Sequence, residues 1–184
     1  MIAAPAMRIL GVDPGSRAAG WAIVDFTAAP VLAAAGVLRP PLTGTFAERL
    51  AFLHAAFASV IATERPDAAA VERVFSGVNP QSLIALGEAR GVLLLALAQA
   101  GVPTAEVTPA EIKRAVAGSG GAEKEQVRRM VTALLGRRLA LDAADAAAAA
   151  LTHGFVAARR GARFAAAPVA WASPRPSVRR RPTG

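Results

Sequence analysis

The sequence predicts an α/β fold in which helices flank one five-stranded mixed sheet. Three apolar segments follow one another with short turns between them, at Met7–Asp13, Trp21–Phe26 and Val31–Leu38, which is typical of an antiparallel meander. Two further short strands, one ending at Glu72 and one at residues 103–107, alternate with helical segments. Because strands and helices alternate after the meander, a layered α/β architecture is expected.

Five helices are expected from periodicity and capping signals. Asn79 followed by Pro80 predicts a helix start, and Thr108 with Glu111 forms a capping-box pattern. The helix that begins at Pro80 is apolar nearly all round, so we expect the core and a partner to bury it, with Gly87 and Gly91 permitting close approach. The predicted helices are Phe46–Ala62, Pro80–Gly101, a segment from Thr108 that carries Lys113, Ala122–Leu135 and Asp142–Ala158.

The chain is expected to form one domain with a short extension and a basic tail. Residues 7–160 form the predicted domain, residues 1–6 a flexible extension, and residues 161–184 a Pro/Arg-rich tail without periodicity that is predicted to be disordered. The formal net charge is +8, but seven of the 21 basic residues lie from Arg159 onward, where no acid occurs. The other 14 basic residues face 13 acidic ones, so the charge alone does not predict a DNA-binding fold.

Composition excludes several classes of protein. With no cysteine, the chain forms neither disulfides nor thiolate metal sites. No stretch reaches the roughly 18 uncharged apolar residues of a membrane span, and the first residues lack the basic segment of a secretory signal. We therefore expect a cytoplasmic protein without a membrane partner.

Four acidic residues lie at the ends of three predicted elements. Asp13 ends the first strand, Glu72 ends the fourth, and Asp142 and Asp145 begin the last helix on one face. Each has an ordinary interpretation alone: Asp13 as turn chemistry before Pro-Gly, Glu72 as a solvated strand end, and the helical pair as an N-cap and a dipole-favoured acid. Together they could converge at one sheet edge, where divalent cations would relieve their repulsion. Oxygen ligands without Cys or clustered His favour Mg²⁺ or Mn²⁺.

Four motifs in this order and spacing resemble the RuvC family of Holliday junction resolvases, endonucleases with an RNase H-like fold. The resemblance covers nearly the whole predicted domain. Its motifs are "MRILGVDPGSRAAGWAIV", "VERVFSGVNPQSLIALGEARG", "AEKEQVRRMV" and "LDAADAAAAALTHG".

The resemblance implies a set of functional residues. The implied metal-binding catalytic carboxylates are Asp13, Glu72, Asp142 and Asp145. Lys113 and Lys124, the two lysines of the chain, fall where the family has basic residues near the DNA and the scissile phosphate. A compact ammonium is not interchangeable with a guanidinium, which favours a phosphate or transition-state contact for both lysines, with Lys124 implied in catalysis as well as DNA binding; the alternative is two ordinary surface helix lysines. Phe75 is implied to stack on an unpaired base, the alternative being core packing.

The resemblance also implies cofactors and partners. Two Mg²⁺ ions per site, with Mn²⁺ as a substitute, would support paired nicking of four-way junction DNA during recombination and repair. A chain with one acid cluster needs a second copy for two symmetric cuts, so we expect a homodimer with Pro80–Gly101 as the candidate interface. The branch-migration proteins RuvA and RuvB are the implied protein partners.

Three other activities compete with this interpretation. An actin/Hsp70-like ATPase shares an Asp-x-Gly hairpin but needs a second lobe, which this length does not supply. Another RNase H-like nuclease could act on RNA, and a non-catalytic DNA-binding subunit would usually have lost a carboxylate.

His153 lies roughly 16 Å along the helix from Asp142, so we interpret it as structural or peripheral.

Overall fold

The strands form the expected mixed sheet. The computed structural model describes residues 7–73 and 79–159, so the predicted extension, Phe75 and the predicted tail lie outside it. Its strands are β1 (Met7–Asp13), β2 (Ala19–Phe26), β3 (Pro30–Leu38), β4 (Ala68–Glu72) and β5 (Thr104–Val107). They lie in the order β3-β2-β1-β4-β5, with β1, β2 and β3 antiparallel and β4 parallel to both β1 and β5. The predicted meander and the five-stranded sheet are thus confirmed.

The helices cover both faces of the sheet. They are α1 (Phe46–Glu64), α2 (Pro80–Gln99), α3 (Pro109–Ala117), α4 (Lys124–Leu135) and α5 (Leu141–Arg159). One core cluster joins one face of the sheet to α3, α4 and α5, and a second joins the opposite face to α1 and α2. The Asn79 cap and the Thr108–Glu111 capping box are both present.

Several predicted helix ends were wrong by one or two residues. The fourth helix begins at Lys124 rather than Ala122, because Glu123 has an extended backbone and Ala122 is buried in the core. The last helix begins at Leu141, so Asp142 lies inside its first turn instead of capping it. That position keeps Asp142 near the positive end of the helix dipole, which favours an anion there.

The outer face of α2 is exposed in the single chain. Leu93 and Leu97 are buried against the sheet, whereas Ile84 is 61% and Leu95 51% exposed. A Cβ added at Gly87 or Gly91 would meet no atom within 4 Å, so these glycines face open space in the single chain. Both α1 and α2 are long and apolar enough to cross a membrane by length and composition, yet each contributes its buried face to the core. The core therefore buries one face of α2, as expected, and burial of the other face by a partner stays a prediction.

Glycine at two positions lets α5 lie directly on the sheet. A Cβ at Gly11 of β1 would collide with the backbone oxygen of Ala146, and one at Gly20 of β2 with that of Asp142. The alanines from Ala143 to Ala150 on α5 are all buried or nearly so and add little bulk. The acidic start of α5 is consequently held close to the end of β1.

We predict that Gly11→Ala destabilises the protein. The added methyl would force α5 away from β1, and such overpacking costs about 1–3 kcal/mol of unfolding free energy. Urea unfolding of both proteins measures the difference. Gly121→Ala is the control, because its Cβ would meet only the Ser119 hydroxyl at 3.8 Å. Equal stability of the Gly11 and Gly121 variants would contradict this account of the close approach.

Candidate active site

Two of the four acids end neighbouring parallel strands. In the β1–β4 pairing Val12 lies opposite Val71, so Asp13 and Glu72 are the next residues on each strand. Carboxyl ends of parallel strands meet at one edge of the sheet, which places both carboxylates there. This juxtaposition agrees with the sequence-based expectation.

The other two acids reach the same edge from α5. Asp142 and Asp145 lie in its first turns, where the contacts at Gly20 and Gly11 hold the helix on the sheet. Asp145 is buried, with 9% of its surface exposed, whereas the side chain of Asp142 is 38% exposed. The nearest cation to Asp142 is Arg39, whose Nη2 lies 3.8 Å from Oδ2. Asp142 is thus more exposed than Asp145.

The acids interact electrostatically. Burial, followed by the negative charges of Glu72 and Asp145, raises the pKa of Asp13 from its ordinary 3.8 to about 7. Burial, together with Asp145, also raises the pKa of Glu72, while Lys124 opposes both shifts. An aspartate that only stabilises a turn at the end of a strand does not need to be buried beside other carboxylates. The turn-chemistry interpretation of Asp13 therefore explains less than a functional cluster does.

Asp145 is held by two cations from α4. The Lys124 ammonium lies 2.7 Å from Oδ2, and Arg128 donates from Nε to Oδ1 at 3.3 Å and from Nη2 to Oδ2 at 3.1 Å. Lys124 and Arg128 are four residues apart and hence share one helix face. Lys124 was expected near the acids from its sequence motif, whereas Arg128 was not. The sequence feature that could have identified Arg128 is its four-residue spacing from Lys124, on a helix that faces the "DAAD" motif.

A small cleft brings two of the four acids together with the two lysines, and neither Asp13 nor Asp142 lines it. Its volume is about 190 Å³, and Glu72, Asp145, Lys113 and Lys124 all line it, above the apolar side chains of Ile112 and Val127. A cleft that presents both carboxylates and ammonium groups can hold a metal-bound phosphate. The structure thus brings Lys113 to the acids.

The donor set fits a hard divalent cation. Four carboxylates, two of them desolvated with raised pKa values, offer oxygen ligands of the kind that a hard divalent ion prefers. Within the described ranges no three Asp, Glu or His side chains already converge on one ion's position. Lys124 and Arg128 occupy Asp145 instead, so ion binding requires a rearrangement there.

The two histidines of the chain lie apart from the four acids. His153 lines a separate cavity of about 460 Å³ with Glu111 and Arg114, and burial lowers its pKa. His54 contacts Gln99 at 2.8 Å between α1 and α2. Neither histidine belongs to the acid cluster, and the position of His153 is consistent with its interpretation as structural or peripheral.

Comparisons with known proteins agree with this geometry. The family model described as crossover junction endodeoxyribonuclease RuvC matches residues 9–153. The chain belongs to the RuvC family. The match contains all four acids and both lysines. This family match does not favour the two alternative interpretations, a nuclease that acts on RNA and a DNA-binding subunit without catalytic activity.

Curated RuvC proteins are similar over nearly their full lengths. Crossover junction endodeoxyribonuclease RuvC of Azorhizobium caulinodans is 45% identical over 163 residues, covering 85% of this chain and 96% of the relative. The protein of the same description from Halorhodospira halophila is 49% identical over 164 residues, covering 85% of this chain and 98% of the relative. The resemblance that the four motifs indicated is thereby confirmed.

Solved structures confirm the fold. T. thermophilus RuvC in complex with Holliday junction substrate has a TM-score of 0.78 and 35% identity, covering 84% of this chain and 96% of that one. The yeast mitochondrial Holliday junction resolvase Ydc2 has a TM-score of 0.60 at 14% identity and shares the fold. The mixed sheet with its flanking helices is the RNase H-like fold of these resolvases.

Proposed function

We propose that this chain is a structure-selective endonuclease that resolves Holliday junctions by nicking two symmetric strands during recombination and DNA repair. The single observation that carries the proposal is the cleft in which Glu72 and Asp145 meet Lys113 and Lys124 beside the desolvated Asp13. Membership of the RuvC family supports the substrate, since the T. thermophilus relative was solved with a Holliday junction.

The proposed chemistry is metal-dependent hydrolysis of a phosphodiester. Asp13, Glu72, Asp142 and Asp145 would hold two Mg²⁺ ions, for which Mn²⁺ could substitute. Such ions supply an activated water and stabilise the leaving oxygen of an in-line displacement. The chain's own contribution is a desolvated, oxygen-only donor set whose charges repel one another until a cation arrives.

The lysines would act on the phosphate. Lys124 is 66% exposed and pairs with Asp145, so its flexible ammonium can turn from that carboxylate towards a phosphate entering the cleft. Lys113 lines the same cleft and would position the DNA backbone. Phe75, which lies outside the described residues, is proposed to stack on an unpaired base beside the cut.

A synthetic four-way junction tests the proposal. We expect the protein to nick it symmetrically with Mg²⁺ or Mn²⁺ and not with EDTA, and to leave a duplex and a flap of the same sequence largely intact. Labelled strands resolved on a denaturing gel measure both cuts. Equal cutting of all three DNAs would contradict junction selectivity, and cutting in EDTA would contradict the metal-dependent chemistry.

We predict that Lys124→Ala slows cleavage more than it weakens junction binding. The ammonium contributes chiefly when charge develops on the phosphate, so about 10²–10³-fold should be lost from the single-turnover rate. Binding should change only a few-fold, because one of several phosphate contacts is removed. Single-turnover cleavage and gel-shift titration measure the two quantities. Parallel losses in rate and binding would reduce Lys124 to a DNA-binding residue.

We propose that the functional unit is a homodimer formed through the outer face of α2. A single chain carries one acid cluster, and a two-fold axis would supply the second cut. The exposed Ile84 and Leu95 flank Gly87 and Gly91, which leaves room for a close helix from a second copy. Leu95→Glu is predicted to yield a monomer in sedimentation equilibrium at micromolar concentration. Leu42→Glu, at a residue 77% exposed in a loop, is the control that should remain dimeric; a dimeric Leu95 variant would contradict the interface.

The cellular location and the protein partners are proposed from membership of the RuvC family. We propose a cytoplasmic location and cooperation with the branch-migration proteins RuvA and RuvB. The seven arginines from Arg159 onward would add phosphate contacts without sequence selectivity.

A further inference from the structure

The buried carboxylate of Asp145 accepts more hydrogen bonds at one oxygen than at the other. Oδ2 receives both the Lys124 ammonium and Arg128 Nη2, which occupy its two lone pairs. Oδ1 receives Arg128 Nε, and no other donor from the described residues reaches it. One lone pair of Oδ1 therefore remains available for a further ligand.

The two cations on Asp145 differ in how firmly they are held. The Lys124 side chain is 66% exposed and makes a single contact, so water can replace it at little cost. The Arg128 side chain is 21% exposed and uses two nitrogens of its rigid fork on the two carboxylate oxygens. Of the two, Lys124 is the cation free to leave, and Arg128 is the one that stays.

Asp145 is buried beside two other acids of the cluster, Asp13 and Glu72. A carboxylate that is fixed in orientation by hydrogen bonds from a neighbouring side chain binds a metal ion better than a free one, because less order is lost on binding.

We propose that Arg128 is a positioning residue that holds the Asp145 carboxylate with its free Oδ1 lone pair ready for a divalent ion, while Lys124 departs. The inference rests on the proposed metal-dependent function. Arg128 itself need not contact the ion or the DNA. Its role follows from the helical spacing of four residues between Lys124 and Arg128, which aims both side chains at one carboxylate.

Metal binding by the DNA-free protein tests the proposal. Full-length wild type, Arg128→Gln, Arg128→Lys and Arg129→Gln would be titrated with Mn²⁺, and free Mn²⁺ measured by electron paramagnetic resonance. Arg129 is the matched control, since it is the adjacent residue, is exposed and loses the same charge. We expect Arg128→Gln to weaken Mn²⁺ binding about 10–100-fold. Arg129→Gln should stay within about 2-fold of wild type, because an exposed charge that makes no ion pair with Asp145 is screened by solvent and salt.

The outcomes separate the two proposals. Arg128→Gln binding Mn²⁺ as tightly as Arg129→Gln would overturn the positioning role. Tighter binding would overturn it too, since Arg128 would then be a competitor of the ion. Arg128→Lys retains the charge without the fork and should lose part of the affinity, which keeps the test valid if the glutamine variant does not fold. Failure of wild type itself to bind Mn²⁺ would overturn the metal-dependent function, and the role of Arg128 with it.

Discussion

Replacing Asp13 or Asp145 by asparagine is expected to abolish junction cleavage, with a loss of at least about 10³-fold in rate. An amide is a poor ligand for a hard divalent ion, and the ions proposed here account for several kcal/mol of transition-state stabilisation, with each 1.36 kcal/mol worth tenfold in rate. Junction binding should remain intact or become tighter, because one negative charge facing the phosphates is gone. Single-turnover cleavage in Mg²⁺ and gel-shift titration in EDTA measure the two effects.

The matched control for these variants is Glu125→Gln. Glu125 is exposed in the first turn of α4, close to Lys124 in the chain, and is not part of the acid cluster. The Glu125→Gln variant loses the same charge and should cleave the junction at nearly the wild-type rate. Cleavage by the Asp13 or Asp145 variant at a rate comparable to that of the Glu125 variant would remove that residue from the catalytic set.

The sequence predicted the sheet because its strands have strong local signals. Met7–Asp13 is an apolar run that ends in a Pro-Gly turn, and the capping pattern of Thr108 and Glu111 marks a helix start without any tertiary information. The meeting of Asp13 and Glu72 also followed from sequence, since both residues end strands that became parallel neighbours. These features depend on local chemistry and on general rules of sheet topology.

Features that depend on tertiary contacts were less predictable. The role of Gly11 emerges only when Ala146 of α5 is placed against it. Likewise, Arg128 is one of many arginines until α4 is packed on α5, at which point the partner of its guanidinium is Asp145. How much of α2 its own chain buries was not predictable for a related reason. A helix that is apolar all round indicates burial, but not whether the same chain or a second copy provides it.

Asp13→Asn is also expected to stabilise the metal-free protein, and increasingly so as the pH rises. The folded-state pKa of Asp13 is about 7, compared with an ordinary 3.8, chiefly because of burial. Between these values the unfolded chain has released its proton while the folded chain retains it, so the wild-type unfolding free energy falls as the pH rises from about 4 to 7. Above pH 7 the cost is constant. At 1.36 kcal/mol per pKa unit, Asp13→Asn should raise the unfolding free energy above pH 7 by up to about 4 kcal/mol.

Urea unfolding in EDTA at a series of pH values measures this gain. The difference between Asp13→Asn and wild type should be small near pH 4, grow up to about pH 7 and then level off, whereas the Glu125→Gln difference should stay flat. Mg²⁺ should shrink the difference at neutral pH, because an ion present at 100 times its Kd for the folded wild type adds about 2.7 kcal/mol to the wild-type unfolding free energy. The asparagine variant has lost a ligand and should gain much less. A stability difference that is the same at pH 4 and pH 8 would mean that Asp13 is not desolvated beside other acids, and the electrostatic argument for a metal site at this edge of the sheet would fail with it.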